Sequence, residues 1–382
     1  MSAAAQRRED ARLPSASTAA TIRAVTDGRA GLGPLAPLLA DPAVTDVLVN
    51  GPAEIWVERD GRLERVPLRF ASTRALAALV QRVVAPLGLR IDEARPWVDA
   101  RLEGGERFHA VLPPLAPDGP IVTIRTFSRR RLELADLVER GTLDETTGRL
   151  LEAMVAAGVA TLISGSTGSG KTTLLNVLGS AIPSTERVVT VEDAAELRLA
   201  GAHVVRLEAR PPNVEGRGEV PLRELVRNAL RMRPDRIVVG EVRGPEALDL
   251  LQAANTGHRG LLTTLHAGGP DEVPARLEAM ALAAPGAALE VVRRLIAGGI
   301  EAVVHLERGP SGRRVTALAE LAPGDDGQVR SRLIRCARRE HGLSATGHVP
   351  RWAERISPPV PELFAPPDRD RPLRVVPTAG RG

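Results

Sequence analysis

A short glycine-rich segment near the middle of the chain carries the residue types that bind phosphate. It fits the pattern G-x-x-x-x-G-K-S/T from Gly165 to Thr172. Glycines in such a loop let successive N–H groups point into one concavity, and the following helix adds the positive end of its dipole. The pattern therefore predicts a nucleotide-binding loop with these contact residues: Gly165, Ser166, Thr167, Gly168, Ser169, Gly170, Lys171, Thr172 and, as the weakest candidate, Thr173.

Two side chains of this loop have separate predicted tasks. The Lys171 ammonium is expected on the β- and γ-phosphates, and the Thr172 hydroxyl is expected to ligate Mg²⁺. Lys171 is also the only lysine among 51 lysines and arginines. Because a planar guanidinium cannot replace a compact ammonium in a tight phosphate site, the position of the single lysine argues against a chance match.

Two apolar segments further along the chain end in acidic residues. Residues 236–240 lead into Glu241, and residues 188–191 lead into Glu192 and Asp193. Since the carboxyl ends of parallel strands meet at one edge of a sheet, these acids are expected to face the phosphate loop. Glu241 is then a candidate metal-and-water carboxylate, Glu192 a general base and Asp193 a metal ligand. The alternatives are a surface acid for Glu241 and a helix cap for Asp193.

Two histidines stand on either side of one short predicted strand. His258 and His266 belong to the segment Thr-Gly-His-Arg-Gly-Leu-Leu-Thr-Thr-Leu-His. They are candidates for sensing a γ-phosphate or for contact across a subunit boundary, and the alternative is a structural role for each. No Cys or Asp cluster with zinc-ligand spacing accompanies them, so the sequence predicts no zinc site.

The elements that must position these residues fall into two predicted domains. Short strand patterns with Gly-containing turns and one amphipathic helix predict a smaller α+β domain at residues 34–127. Strands that alternate with helices over residues 141–335 predict an α/β, RecA-like P-loop domain with a mostly parallel sheet. Residues 1–33 are expected to be a disordered leader, 128–140 a basic linker, and 336–382 a tail that is largely disordered after about 357.

Composition limits the other possibilities. The net charge is only +4, and the aromatic content is 2% with no tyrosine, which argues against nucleic acid as a partner. One cysteine excludes both an intrachain disulfide and a cysteine zinc module. No apolar run of about 18 residues is present, so we expect a cytoplasmic protein that is peripheral to a membrane only through partners.

Taken together, the motifs resemble those of the secretion ATPases that drive type II secretion, type IV secretion and type IV pili. Four family boxes occur in order: the phosphate loop at 165–172, the acidic pair at 192–193, Gly-Glu-Val-Arg at 240–243 and the histidine box at 256–266. The segment 231–244 is most similar to the tight-adherence (TadA/CpaF-type) branch. The N-terminal segments 45–51 and 98–102 fit as well, and the resemblance covers about residues 35–325.

The resemblance implies a ring hexamer in which ATP binds between the N-terminal domain and the P-loop domain. Arg101, Arg107 and Arg125 stand where the family carries arginines that reach the phosphates, and solvated strand arginines are the alternative. An integral inner-membrane secretion or pilus platform protein is the implied partner, with a pilin or secreted substrate engaged indirectly. Gly244 replaces the Asp of pilus motors, and no retraction signature is visible, so pilus retraction is not expected.

The resulting hypothesis is an Mg²⁺-dependent ATPase that powers pilus assembly or protein secretion. Two alternatives remain, and a third is excluded by its missing motif. A DNA-translocating ATPase of conjugal transfer would show salt-dependent DNA binding, and an ATP-binding scaffold would release no phosphate. A P-loop GTPase would need an Asn-Lys-x-Asp motif, which a chain whose only lysine is Lys171 cannot supply.

Overall fold

The computed structural model describes residues 30–59, 62–126, 131–201, 203–212, 215–310, 312–337, 342–356 and 363–365. Residues 1–29 of the predicted leader and the basic run 128–130 lie outside these ranges, whereas residues 30–33 of that leader belong to a 3-10 turn. The described chain forms two compact units, the first extending to Arg130 and including Pro212–Arg217, the second containing the rest. No helix in these ranges is both long and apolar enough to cross a bilayer.

The first unit is built on a six-stranded antiparallel sheet of order β3-β2-β1-β6-β5-β4. Strand residues alternate between a buried and an open face, and the buried face packs against an amphipathic helix whose N-cap is Ser72, as predicted. The strands are β1 (Val44–Asn50), β2 (Ile55–Arg59), β3 (Arg62–Val66), β4 (Trp97–Arg101), β5 (Arg107–Val111) and β6 (Ile121–Arg125). The helices are α1 (Ala36–Ala40) and α2 (Thr73–Val84), with 3-10 turns at Ala30–Leu35 and Ala85–Leu87.

The second unit contains a nine-stranded sheet of order β15-β14-β13-β12-β7-β11-β10-β8-β9. The six strands from β12 to β9 in this order are parallel, and β13, β14 and β15 add antiparallel. The strands are β7 (Thr161–Gly165), β8 (Val188–Glu192), β9 (Val204–Glu208), β10 (Arg236–Val239), β11 (Leu262–Leu265), β12 (Ala302–Gly309), β13 (Gly312–Pro323), β14 (Val329–Ala337) and β15 (Leu343–Ala345).

Helices cover both faces of this sheet, which explains why its central strands are apolar throughout. They are α3 (Leu134–Glu139), α4 (Glu145–Ala156), α5 (Lys171–Gly179), α6 (Leu222–Ala229), α7 (Glu246–Asn255), α8 (Val273–Leu282) and α9 (Leu289–Gly299), with 3-10 turns at Leu230–Met232, Pro270–Glu272 and Ala353–Arg355. The α/β prediction with a mostly parallel sheet and a preceding antiparallel-sheet domain is confirmed.

Two segments outside the predicted domains are folded. Helix α3 lies within the predicted linker, and its first turn is stabilised because the Asp136 carboxylate accepts the Glu133 backbone N–H at 2.8 Å. Part of the predicted tail packs on the second unit, since β15 pairs with β14 and the Trp352, Ile356 and Phe364 side chains enter its core. The sequence predicts disorder only after about residue 357, and within that range Phe364 is buried because its apolar side chain packs in this core.

Candidate active site

The phosphate loop connects the buried strand β7 to the N-terminus of α5. Gly165, Gly168 and Gly170 all have positive φ, at 153°, 71° and 101°. Residues other than glycine rarely adopt such values. A Cβ on Gly165 would lie 2.3 Å from the Leu306 carbonyl oxygen of the adjacent strand β12. The loop sequence therefore allows the strand pairing and the sharp turn that a phosphate cradle needs.

The Lys171 side chain is folded back into the loop. It is 6% exposed, and its Nζ donates to the carbonyl oxygens of Gly165 at 3.1 Å and Ser166 at 2.9 Å. Its Nζ also lies 3.4 Å from His266 Nδ1. Burial lowers the pKa of Lys171, against the opposing effect of Glu241. The two carbonyl oxygens therefore hold the Lys171 ammonium at a position where phosphate oxygens could replace them as acceptors.

Glu241 follows β10 and lies within a cluster of cationic groups. Its Oε2 accepts from Arg243 Nη2 at 2.7 Å, and its Oε1 lies 2.9 Å from His266 Nε2. The His266 contact lacks the geometry of a hydrogen bond, so Glu241 Oε1 has no hydrogen-bond partner among the described residues. Burial favours a high pKa for this carboxyl, but Arg243, His266 and Lys171 together hold the pKa below its ordinary value. Burial likewise lowers the pKa of His266.

Glu192 ends the neighbouring strand β8 and has the opposite protonation behaviour. The residue is 3% exposed, and its Oε1 accepts the backbone N–H groups of Glu196 and Leu197, both at 2.8 Å. Its Oε2 is buried and has no hydrogen-bond partner among the described residues. Burial raises the pKa of Glu192 to about 7, more than the two N–H groups lower it. This carboxyl is therefore fixed through one oxygen and able to exchange a proton through the other.

The two strand-end acids are thus set up for different tasks. Glu241 stays ionised beside cations, whereas the apolar surroundings of Glu192 keep it near the point of protonation at neutral pH. Pairs of acids whose pKa values are pushed apart in this way are typical of sites with a charge-stabilising carboxylate and a base. Strands β8 and β10 are adjacent, and a Cβ on Gly240 would lie 3.1 Å from Glu192 Cγ, so a larger residue at position 240 would crowd the Glu192 side chain.

The other predicted loop contacts surround the same centre. Ser169 is fully buried, with a hydroxyl that has no hydrogen-bond partner among the described residues, while Ser166 and Thr167 are exposed. Thr172 and Thr173 are half-buried in the first turn of α5, and Asp193 is exposed immediately after β8. Thr172, Thr173 and Asp193 carry oxygen atoms, the type of ligand that hard cations such as Mg²⁺ prefer.

His258 is not part of this cluster. It precedes β11, whereas His266 follows it, so the two histidines lie toward opposite edges of the parallel sheet. The nearest contact described for its ring is a 3.5 Å approach of Nδ1 to Thr256 Oγ1. The structure therefore brings only His266 to the phosphate loop of the same chain, and the predicted role of His258 at a subunit boundary stays a prediction.

The three predicted arginines lie together on the sheet of the first unit. Arg101 pairs with Arg107 across β4 and β5, and Arg107 pairs with Arg125 across β5 and β6, so they form one row on one face. Arg125 Nε also donates to Asp46 Oδ1 at 3.0 Å. The sequence did not reveal this alignment, because it depends on the antiparallel register.

Several residues near the loop were not predicted from the sequence. The sequence assigned no role to Arg243 beyond its place in the Gly-Glu-Val-Arg motif. Its spacing of two residues from Glu241 on an extended segment could have indicated the ion pair. His305 is 2% exposed on β12, with Nδ1 2.9 Å from Ser164 Oγ, and burial lowers its pKa. Arg313 Nε donates to the Gly168 carbonyl at 2.9 Å. The last two come from strands about 140 residues beyond the loop, and no local pattern identifies them.

Comparison with known proteins agrees with this geometry. The model of the family described as type II/IV secretion system protein matches residues 28–320. A putative conjugal transfer protein of Mycobacterium tuberculosis is 43% identical over 331 residues, covering 85% of this chain and 93% of that protein. The type IV secretion system protein PtlH of Bordetella pertussis is 38% identical over 313 residues, covering 73% of this chain and 91% of PtlH.

A solved structure extends the likeness to the fold. The ATPase DotB of Legionella pneumophila superimposes with a TM-score of 0.53 at 25% identity, covering 76% of this chain and 80% of DotB. The resemblance predicted from the four motifs is therefore confirmed at the level of the family. The chain belongs to the type II/IV secretion system protein family, and its function is that of a motor ATPase of secretion or pilus machinery.

Proposed function

We propose that the chain hydrolyses ATP in an Mg²⁺-dependent reaction at the cluster around Lys171. The observation that carries this proposal is the meeting of three strand ends at the phosphate loop. His266 contacts both Lys171 and Glu241, and Glu192 ends the strand next to that of Glu241. A cation, an ionised acid and an acid with a pKa of about 7 are the groups that nucleotide hydrolysis uses.

Each residue then has a defined role. The phosphates displace the Gly165 and Ser166 carbonyl oxygens from Lys171 Nζ, so that the ammonium offsets their charge. Glu192 takes a proton from the attacking water through Oε2, since Oε1 is held by two backbone N–H groups. His266 contacts both Lys171 and Glu241. When a γ-phosphate binds at Lys171, His266 therefore couples that binding to Glu241 at the end of β10.

The residues present fit Mg²⁺ as a cofactor. Thr172, Glu241 and Asp193 would hold it, and when bound Mg²⁺ neutralises charge on the phosphate oxygens. Within the described residues no group of three or more His, Cys, Asp or Glu side chains forms a metal cluster. This agrees with a cation that keeps waters and substrate oxygens as ligands rather than with an all-protein site.

The assembly and the pathway are part of the same proposal. We propose a homohexamer that works on an integral membrane platform protein and engages a pilin or secreted substrate indirectly, most similar to the tight-adherence branch. The role of Arg101, Arg107 and Arg125 in offsetting phosphate charge also stays a prediction. Mass photometry of the protein with and without ATP tests the assembly, and a monomer under both conditions would contradict it.

A phosphate-release assay tests the proposed reaction. Lys171→Ala is expected to lower ATP turnover at least about 100-fold, because an electrostatic donor to the transferred group is lost. Arg259→Ala, an exposed arginine near the opposite edge of the sheet, serves as the control and should keep wild-type turnover. Unchanged turnover in Lys171→Ala would refute the site, and ATP binding without phosphate release by the wild type would instead identify a scaffold.

DNA translocation in conjugal transfer is a second candidate, which the printed name of the mycobacterial relative favours. It predicts ATP turnover that rises with added single- or double-stranded DNA, and DNA binding that weakens steeply with salt. The low aromatic content and the net charge of +4 argue against it. Turnover that does not respond to DNA at low salt would exclude this candidate.

A further inference from the structure

The hairpin of β12 and β13 brings two arginines against the outer side of the phosphate loop. Arg308 and Arg313 are cross-strand partners, so their side chains leave the same face of the hairpin. Arg313 Nε donates to the Gly168 carbonyl oxygen at 2.9 Å. Arg308 Nη1 lies 3.3 Å from the position that a Cβ on Gly168 would occupy, and Arg313 Cδ lies 3.3 Å from that of Gly170.

The Gly168 carbonyl contact fixes the orientation of a peptide group that belongs to the phosphate cradle. In a planar trans peptide the C=O of Gly168 and the N–H of Ser169 point in opposite directions. When Arg313 holds the carbonyl outward, the N–H must face the interior of the loop. The structure agrees, because the Ser169 N–H donates at 3.3 Å to the Ser166 oxygen that also accepts Lys171 Nζ at 2.9 Å.

The charge of the arginines adds to this orienting effect. A donor that carries a full charge makes a stronger hydrogen bond than a neutral one, and it polarises the acceptor peptide. The Ser169 N–H thereby becomes a better donor to an anion inside the loop. The glycines at 168 and 170 contribute by leaving room for the two guanidinium-bearing side chains.

We propose that Arg308 and Arg313 act as an arginine brace, positioning residues that orient the phosphate loop for the polyphosphate of ADP and ATP. The inference rests on the proposed ATPase function and deepens it. The brace acts on the loop rather than on the transferred phosphate, so it stabilises the bound ground state and the transition state equally. Such uniform binding affects KM and nucleotide Kd but leaves kcat nearly unchanged.

The test compares Arg313→Ala, Arg308→Ala and the control Arg314→Ala. Arg314 is the next residue on β13, is exposed, and pairs with Glu307 on the other face of the hairpin. With the full chain and a fluorescent ADP analogue as the probe, Arg313→Ala should weaken binding about tenfold, as expected for one charge-assisted hydrogen bond. Arg308→Ala should weaken it by about threefold, and Arg313→Lys should fall between wild type and Arg313→Ala.

Steady-state kinetics and thermal unfolding separate the brace from a merely structural role. The KM for ATP should rise with the Kd, kcat should stay within about twofold, and the Tm should match that of Arg314→Ala. A lowered Tm with unchanged Kd, or equal Kd values for Arg313→Ala and Arg314→Ala, would overturn the brace while wild-type turnover still supported the ATPase. If the wild type did not bind ATP, both the arginine brace and the ATPase function would be overturned.

Discussion

The two edges of the parallel sheet in the second unit are both rich in charge, yet they use it differently. At the amino edge the buried Arg236 guanidinium pairs with both oxygens of Glu186 and contacts the Ala156 carbonyl. At the carboxyl edge, one oxygen of Glu192 has no hydrogen-bond partner in the described part of the chain, and burial raises the pKa of Glu192 to about 7 and lowers that of Lys171. At the amino edge, the buried charge is paired within the chain. At the carboxyl edge, we propose that the charged groups exchange their present contacts for atoms of a bound ligand.

The amino edge also contains a cavity of about 280 Å³, lined by Ala156, Ala157, Gly158, Glu186, Asp235, Arg236 and Arg259. Its acidic and basic side chains balance, and a Cβ on Gly260 would overlap the Arg236 Nη1 atom, so the arginine fills the space between backbone segments. Although Nη1 lacks a hydrogen-bond partner among the described residues, its guanidinium is already neutralised. The comparison teaches that charged groups with exchangeable partners distinguish the proposed site better than the presence of charge alone.

The largest expected effect is on turnover at the carboxyl edge. Glu192→Gln should lower kcat about 1000-fold, because the base that accepts the proton of water is lost. In the wild type the base must be deprotonated, so the rate should rise with pH through about 7, and this limb should vanish in the variant. Phosphate release from pH 5.5 to 9 measures both. Glu290→Gln, an exposed glutamate in the first turn of α9, is the control, and a Glu192→Gln variant with half of wild-type kcat would contradict the assignment.

A stability effect is expected at the amino edge. Arg236→Met should lower the free energy of unfolding by about 3 kcal/mol, because Glu186 loses its buried partner. Nucleotide affinity should stay within twofold, since the substitution is at the edge away from the phosphate loop. Denaturant unfolding and ADP titration measure the two quantities, with the exposed Arg259→Met as control. If Arg236→Met weakened ADP binding without lowering the free energy of unfolding, the proposed difference between the two edges would be contradicted.

A pH-dependent stability difference sharpens the same contrast. Since the pKa of Glu192 is raised from 4.5 to about 7 in the folded protein, the folded state binds this proton more tightly than the unfolded chain. Stability from this group is therefore present at low pH and falls as the pH rises through that window, by about 3 kcal/mol. Glu192→Gln should lack the decline, so its advantage over wild type grows from pH 5 to 8. If the free energies of unfolding of the two proteins changed with pH in the same way, the raised pKa of Glu192 would be contradicted.

The smallest expected effect concerns the Arg243–Glu241 pair. Arg243 occupies Glu241 Oε2 at 2.7 Å, and Glu241 must exchange this cation for Mg²⁺ if it is to serve as a ligand. Arg243→Gln should therefore lower the half-saturating Mg²⁺ concentration about threefold, consistent with the small strength of a partly exposed pair. Titration of turnover with Mg²⁺ at fixed ATP measures the change, with Arg276→Gln as a surface-pair control. A higher Mg²⁺ requirement would show that Arg243 assists binding instead.

The features predicted correctly from the sequence are those encoded over short distances. The phosphate loop, the apolar strands and the Ser72 cap depend on neighbouring residues, and each was identified from local spacing. The contacts of Arg313 and His305 arise only when β12 docks beside β7, which no local pattern reveals. The sequence predicts His258 and His266 on either side of one strand, and of these two the structure brings His266 to Lys171.

A single lysine, folded inward and bonded to two carbonyl oxygens of its own loop, gives the protein an unusual chemical handle. Apart from the α-amino group, amine-directed acylation has one target in the whole chain, and its rate measures how often the loop releases Lys171. A lysine-specific endoprotease likewise has one peptide bond to cut, between Lys171 and Thr172. Covalent labelling can therefore count occupied sites in an assembled particle without any engineered tag.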